Sequence, residues 1–141
     1  MEFGPWVLVL NRQQNFLGRT LAILKQHRTD FGEIEPHELI LLLSAYRHWK
    51  AARDRAFSPD KYNIALLGNE EYLHCGYVHW HFVPRYRRPI SFAGETFQHD
   101  TPETATKNYS RVDRKQVYPA KNPPKIKRQL LKCWPKHLAT Q

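Results

Sequence analysis

The segment Tyr77–Pro84 constrains the fold more than any other part of the chain, because its residues alternate strictly in character. Three positions carry tyrosine or histidine: Tyr77, His79 and His81. The positions between them are apolar: Val78, Trp80 and Phe82. Successive side chains of a β-strand point to opposite faces, so the alternation predicts a strand with one apolar face and one histidine face. We expect the apolar face to pack on a core and the histidine face to open onto a site. Pro84 should end the pairing or lie at a sheet edge.

The pair His79 and His81 is the strongest chemical signal in this strand. Same-face Cβ atoms lie about 6–7 Å apart along a strand, so both imidazoles should point into one space. A neutral imidazole can act as a nucleophile, as a general acid or base, or as a metal ligand. The alternative is two half-buried histidines of an ordinary sheet, because the pair alone does not specify a chemistry.

Three other apolar segments and one helical pattern complete the predicted fold. Residues 6–10 and 20–24 predict two antiparallel strands joined by a turn near Gly18, and residues 62–67 predict a third strand. Residues 35–57 predict the one long helix, because a proline suits a first helical position and apolar residues recur at helical spacing. The residues at this spacing form a stripe along the helix: Leu39, Leu42, Leu43, Tyr46, Trp49 and Lys50. The charged residues near the end of the helix mostly fall outside this stripe.

Positive charge is concentrated in the second half of the chain. The 141 residues carry a net charge of +9, and residues 71–141 hold thirteen basic and five acidic residues. A basic half attracts nucleotides, nucleic acid or an acidic membrane surface, whereas a solvated tail is the alternative. Aliphatic residues become scarce after residue 97, so we place a domain core at 1–97 and a basic C-terminal extension at 98–141. We expect the extension to wrap the core and to contain a short helix near residues 124–131.

The sequence also predicts where the protein resides. No apolar run approaches the roughly 20 residues that a membrane-spanning helix needs, and the run near the N-terminus lacks the basic flank of a signal peptide. Two cysteines, Cys75 and Cys133, cannot form a disulfide framework. We therefore expect a cytoplasmic protein with no membrane partner.

The segment Tyr77–Arg85 resembles the signature of the histidine triad (HIT) superfamily, in which three histidines alternate with apolar residues and Pro-Arg often follows. Other motifs resemble this superfamily in the same order along residues 6–97. They are a strand ending near Asn11, a Gly18-Arg19 pair before the next strand, the long helix, and the asparagines Asn63 and Asn69. Within the superfamily, the sequence is similar to the diadenosine polyphosphate hydrolase-like branch.

This resemblance implies an α+β fold with a five-stranded antiparallel sheet, one long helix and assembly as a homodimer. It implies a nucleotide hydrolase or nucleotidyl transferase that cleaves a dinucleoside polyphosphate, or a related nucleotide conjugate, at an α-phosphate. His79, at the middle triad position, would attack phosphorus and form a nucleotidyl-histidine, and His81 would contact phosphate oxygens or the leaving group. The residues expected to bind the substrate are Asn11, Arg19, Asn63, Asn69, Tyr77 and Arg85. No resident cofactor is required, and a divalent metal such as Mg²⁺ can accompany the nucleotide.

Two departures from the family pattern leave other functions open. Tyr77 stands where the family has its first histidine, and no glutamine precedes the triad in the stretch His74-Cys75-Gly76. The main alternative is a non-catalytic nucleotide- or nucleic-acid-binding module, with nucleic acid bound through the basic C-terminal half. A third alternative is a zinc site, because four residues are competent zinc ligands: His74, Cys75, His79 and His81.

Overall fold

The structure is a computed structural model, and it describes residues 1–12, 14–67, 77–97 and 122–136. In chain order the regular elements are β1 (Glu2–Phe3), β2 (Trp6–Leu10), β3 (Thr20–Leu24), α1 (Pro36–Phe57), β4 (Lys61–Leu66), β5 (His79–Arg85), β6 (Ile90–Phe92), β7 (Glu95–Phe97) and α2 (Pro123–Lys132). A short 3-10 helix, Phe31–Glu33, precedes α1.

Five strands form one sheet in the order β1-β2-β3-β5-β4, and β6 and β7 form a separate hairpin. Every neighbouring pair in the sheet is antiparallel, which confirms the predicted α+β fold with a five-stranded antiparallel sheet and a long helix. The histidine strand β5 lies between β3 and β4, so it has a neighbour on both sides. Neither β1 nor the hairpin was predicted, because such short strands hold too few residues for an alternating pattern to be recognised.

Helix α1 covers one face of the sheet and forms the main core with it. Trp49 of the helix is fully buried, and its ring centroid lies 5.1 Å from that of Phe82 in β5. The sheet contributes further buried apolar residues to this core: Trp6, Leu8, Ala22 and Leu24. Full burial of a large apolar side chain contributes about 1.5–3 kcal/mol. The apolar face of the histidine strand therefore points to the helix, as its alternation predicts.

The buried face of α1 overlaps the predicted stripe, since Leu39, Leu42, Tyr46 and Trp49 pack in the main core, but it also extends beyond it. Leu43 is 49% exposed, whereas Arg53, predicted to lie outside the stripe, is only 3% exposed. The buried residues of the helix are Glu38, Leu42, Ala45, Trp49, Ala52 and Arg53. Consecutive leucines at positions 41–43 point in several directions around a helix, so periodicity alone could not decide which of them faces the sheet. Ala45 and Ala52 are fully buried, and they extend the buried face beyond the stripe that the larger apolar residues define.

Strand β5 is displaced along the chain relative to its sequence pattern. It begins at His79 rather than Tyr77, and it continues to Arg85. The prediction that Pro84 ends the pairing is wrong, because Pro84 pairs with Tyr62 of β4. The ladder between β5 and β3 stops at Phe82, so among the described strands Pro84 has only β4 beside it, and its missing N–H is tolerated there.

Helix α2 packs on the 1–97 segment. Ile126 and Leu130 are buried in a second apolar cluster with Leu17, Tyr86 and Phe97. This confirms the helix predicted near residues 124–131. The boundary between core and extension stays a prediction, since residues 98–121 lie outside the described ones. None of the described helices has the length and apolar character needed to cross a membrane.

Candidate active site

His79 and His81 lie on the sheet face opposite α1. The strand register places His81 between Leu21 of β3 and Ala65 of β4, and it places His79 opposite Ile23. The two ring centroids are 5.0 Å apart, which confirms that the imidazoles share one space. However, His79 is only 6% exposed and His81 only 2%. The two histidines are therefore less open than the alternation predicts, whereas the residues paired with them on the same face, Leu21, Ile23 and Ala65, are half-buried.

His79 is held by the main chain two residues before it. Its Nδ1 lies 2.9 Å from the carbonyl oxygen of Tyr77. A carbonyl oxygen only accepts hydrogen bonds, so we assign the ring proton to Nδ1. In the neutral imidazole the other nitrogen, Nε2, then carries an electron pair. A nucleophilic histidine needs this tautomer, and a hydrogen bond at the opposite ring nitrogen selects it.

His81 is held by a side chain and takes the opposite tautomer. Nη2 of Arg19 lies 3.3 Å from Nδ1 of His81, and both residues are buried. A guanidinium only donates hydrogen bonds, so Nδ1 of His81 accepts and we assign the ring proton to Nε2. The two imidazoles therefore differ at Nε2: His79 presents an electron pair and His81 presents an N–H group.

Buried polar side chains fix the turn that carries Arg19. Gln14 accepts a hydrogen bond from the N–H of Gly18 at 2.9 Å and donates one to the carbonyl of Arg19 at 2.8 Å. Arg53 of α1 donates to the carbonyl of Gly18 at 3.4 Å and to Oγ1 of Thr20 at 2.7 Å. Gly18 has a φ of +87°, a conformation that glycine adopts without strain. The sequence analysis missed Gln14 and Arg53, and its only signal for this arrangement was the glycine of the turn.

Comparison with known proteins identifies the fold. No family model and no curated protein matches the sequence. Among solved structures, a hypothetical histidine triad nucleotide-binding protein from Sulfolobus tokodaii is 19% identical, covering 73% of this chain and 72% of that chain with a TM-score of 0.56. A HIT family protein from Bacillus anthracis is 22% identical, covering 74% and 73% with a TM-score of 0.54. A Zn-bound histidine triad family protein from Mycobacterium smegmatis is 19% identical, covering 94% and 82% with a TM-score of 0.55. The chain has the histidine triad fold.

In this histidine triad fold, Tyr77 holds the site through its main chain. Its carbonyl orients His79, whereas its side chain is 37% exposed and its ring meets that of His27 edge-on, with centroids 5.0 Å apart. The tyrosine ring is therefore not part of the core, and its predicted role in substrate binding stays a prediction. His27 was missed by the sequence analysis, because it lies in the irregular segment after β3, where no pattern relates it to residue 77.

Two other predicted binding residues lie near the histidines. Asn63 of β4 pairs with Val83, which follows His81 by two residues and points to the same face. Asn63 therefore lies on the histidine face of the sheet, close to His81. The main chain of Asn11 joins the Arg19 turn, with its N–H donating to the carbonyl of Arg19 at 3.0 Å. The structure therefore brings Arg19 and Asn63 to the histidine pair and places Asn11 behind Arg19.

Arg85 lies at the opposite end of β5 from the nucleophile position. It follows His79 by six residues, or about 20 Å along a strand. Its guanidinium carbon lies 4.6 Å from the ring centroid of Phe16, in the segment that precedes the Arg19 turn. Asn69, the remaining predicted binding residue, lies outside the described residues.

The zinc alternative gains no support from the described residues. Two of the four proposed ligands, His74 and Cys75, lie outside them. Within the described ranges, no group of three or more His, Cys, Asp or Glu residues is placed to hold a metal ion. His79 and His81 alone provide two ligands, whereas zinc sites in proteins use at least three protein ligands.

Proposed function

We propose that this protein breaks a phosphoanhydride or related bond at the α-phosphate of a nucleotide, with Nε2 of His79 as the nucleophile. The 2.9 Å contact between Nδ1 of His79 and the carbonyl of Tyr77 carries this proposal, because it leaves an electron pair on Nε2. A nucleotide substrate is supported by the fold, since a similar structure from Sulfolobus tokodaii is named a histidine triad nucleotide-binding protein.

The first step forms a nucleotidyl-histidine. Nε2 of His79 attacks the α-phosphorus, a P–N bond forms, and the bond from phosphorus to the leaving oxygen breaks with its electron pair going to that oxygen. A neutral imidazole needs no prior deprotonation before it attacks. Bond formation places positive charge on the ring. The hydrogen bond from Nδ1 to the Tyr77 carbonyl then becomes charge-assisted and stabilises that charge.

His81 and Arg19 are suited to stabilise the charge that develops on oxygen. The Nε2–H group of His81 belongs to a ring whose centroid lies 5.0 Å from that of His79, and it can donate to a phosphate oxygen or to the leaving oxygen. Arg19 adds a positive charge in a buried position, where charge interactions are stronger than in water. Transfer at phosphorus depends mainly on such positioning and charge neutralisation.

The second step frees His79. Water or another acceptor attacks phosphorus, the P–N bond breaks, and its electron pair returns to Nε2. Attack by water loses a proton to solvent and completes a hydrolysis, whereas attack by another acceptor completes a nucleotidyl transfer. A divalent metal such as Mg²⁺ would enter with the phosphates of the substrate.

A substrate screen with a trapped intermediate tests this function. Wild-type protein is incubated with adenylated and guanylated dinucleoside polyphosphates and nucleoside phosphoramidates, and products are separated by chromatography. We expect His79→Ala to lower turnover by several orders of magnitude. His37→Ala, which changes an exposed histidine of α1, should leave turnover unchanged.

Mass spectrometry of the intact protein provides the second measurement. During turnover, wild type should gain the mass of one nucleotidyl group, and His79→Ala should gain none. Near wild-type turnover by His79→Ala, on a substrate that the wild type cleaves, would contradict the assignment.

One observation favours a second function, a non-catalytic module that binds nucleotides or nucleic acid. The exposed residues of α2 include four cations: Lys125, Lys127, Arg128 and Lys132. A basic face that binds phosphates releases counterions, so its affinity falls steeply with salt. Steep salt dependence of oligonucleotide binding, together with no turnover on any nucleotide in the screen, would favour this module over the enzyme.

We also propose that the protein is a homodimer and that it acts in the cytoplasm. The dimer is supported by the resemblance of the sequence to the histidine triad superfamily. Two apolar residues on α1, Ile40 and Leu43, are exposed and would be available to a second copy. Sedimentation that shows one monomeric species at micromolar concentration would contradict the dimer.

A further inference from the structure

A cavity of about 600 Å³ lies between β2 and α2, within the size range of small-molecule sites. Most of its lining is apolar and includes Leu8, Leu10, Leu130, Leu131 and Trp134. Neither His79 nor His81 is among the described lining residues. The cavity is therefore distinct from the candidate active site.

The charged side chains that line this cavity, among the described residues, are both cations: Arg53 and Lys127. Arg53 is 3% exposed and reaches the cavity from α1, whereas Lys127 is exposed on α2. In the part of the chain that the structure describes, no carboxylate forms an ion pair with Arg53. The cavity thus combines an apolar surface with a buried positive charge.

The hydrogen bonds of Arg53 leave part of its guanidinium for a ligand. Nε donates to the carbonyl of Gly18 at 3.4 Å, Nη1 to the carbonyl of Trp49 at 3.3 Å, and Nη2 to Oγ1 of Thr20 at 2.7 Å. A guanidinium has five N–H groups, and each terminal nitrogen carries two. One N–H on each terminal nitrogen is therefore left after these three bonds to the described residues.

Burial of this cation is unfavourable without an anion. Removing a charge from water costs several kcal/mol even after the protein relaxes, and burial lowers the pKa of Arg53 to about 9. Its guanidinium carbon lies 4.6 Å from the ring centroid of Trp49, and this cation–π contact offsets part of the penalty. A bound carboxylate would offset more of it through charge-assisted hydrogen bonds.

We propose that this cavity binds a small amphipathic monocarboxylate, with its carboxylate on Arg53 and its aliphatic body against the apolar lining. A carboxylate can accept hydrogen bonds from the remaining N–H groups of Arg53, and an aliphatic body matches the apolar lining better than a phosphate does. Lys127 would attract the anion to the cavity from the exposed surface of α2. This site is separate from the proposed nucleotide chemistry, and the test of this site does not depend on that chemistry.

Binding is measured on the full chain by calorimetry, with octanoate as the probe and octanol as the uncharged probe with the same number of carbons. We expect octanoate to bind about tenfold more tightly than octanol or better, because only octanoate can pair with Arg53. Arg53→Met should weaken octanoate binding by about tenfold or more. Arg55→Met, which removes an exposed cation of the same helix, should leave it unchanged. Equal binding of the two probes, or no binding of octanoate, would overturn the proposal.

Arg53 also stabilises the Arg19 turn, so a second pair of variants tests the cavity without changing Arg53. Leu131→Trp narrows the cavity from α2 and leaves Arg53 in place, so octanoate binding should weaken by about tenfold. Arg128→Trp places the same ring on an exposed position of α2 outside the described lining, and it should bind octanoate as wild type does. Unchanged octanoate binding by Leu131→Trp would overturn the proposal.

Discussion

Replacement of Arg19 by leucine tests whether a buried arginine sets the tautomer of His81. The contact from Nη2 of Arg19 to Nδ1 of His81 is 3.3 Å long, and both residues are less than a tenth exposed. A hydrogen bond with one charged partner contributes about 1.5–3 kcal/mol, and the length of this one favours the lower end. If the whole contribution acts in the transition state, a loss of about 1.5 kcal/mol lowers kcat/KM slightly more than tenfold.

The tautomers themselves can be measured by ¹⁵N NMR of the imidazole nitrogens. In the wild type we expect the ring proton on Nε2 of His81 and on Nδ1 of His79. In Arg19→Leu, His81 should populate the form with its proton on Nδ1, because no guanidinium then occupies that nitrogen. His79 should not change, since its partner is the main-chain carbonyl of Tyr77.

Two further variants serve as controls for Arg19→Leu. Arg19→Lys retains a cationic donor and should recover part of kcat/KM, although an ammonium lacks the planar fork of a guanidinium. Arg12→Leu removes an exposed arginine from the same loop and should behave as wild type. A wild-type His81 with its proton on Nδ1, or an Arg19→Leu variant with unchanged tautomer and unchanged kcat/KM, would refute the reasoning.

Three other substitutions test separate parts of the structure. Tyr77→His should leave folding intact and preserve or raise turnover, because the tyrosine is 37% exposed and its ring fills no core space. A large drop in melting temperature, or lost turnover in a well-folded variant, would contradict this. Gly18→Ala should lower the free energy of unfolding by about 1–2 kcal/mol in urea titrations, because φ is +87° there; unchanged stability would show that the turn tolerates a side chain. Burial raises the pKa of Tyr86 above its ordinary 10.0. Above pH 10 the unfolded chain therefore loses a proton that the native chain keeps, so the free energy of unfolding falls as pH rises. Tyr86→Phe should flatten this fall in alkaline unfolding curves, and identical slopes would count against the buried tyrosine as its cause.

The strand arrangement was largely predictable because it follows from short-range geometry. A strand repeats its side-chain direction every second residue, so the positions of His79 and His81 sufficed to place both on one face. The same regularity predicted the strands Trp6–Leu10 and Thr20–Leu24 and their antiparallel pairing, which the structure confirms. The helix was predictable in extent, from a proline at its start to Ser58 beyond its end.

The burial of individual residues was less predictable, because it depends on what packs against an element. Leu43 and Arg53 belong to the same helix, yet the apolar residue is half exposed and the charged one is buried. The guanidinium of Arg53 is tolerated inside because three acceptors and the Trp49 ring surround it. Those partners come from the helix itself and from a turn more than thirty residues earlier in the chain.

The sequence by itself determined the strand that carries the two histidines, the face that they share and the long helix behind them, because each of these follows from the spacing of neighbouring residues. Only the tertiary structure decided that Arg19 meets His81 across 62 residues of chain and that both histidines are buried. Periodicity describes the direction of a side chain relative to its own backbone. The partner that it meets there depends on how distant segments pack together, and the two ring tautomers depend on those partners.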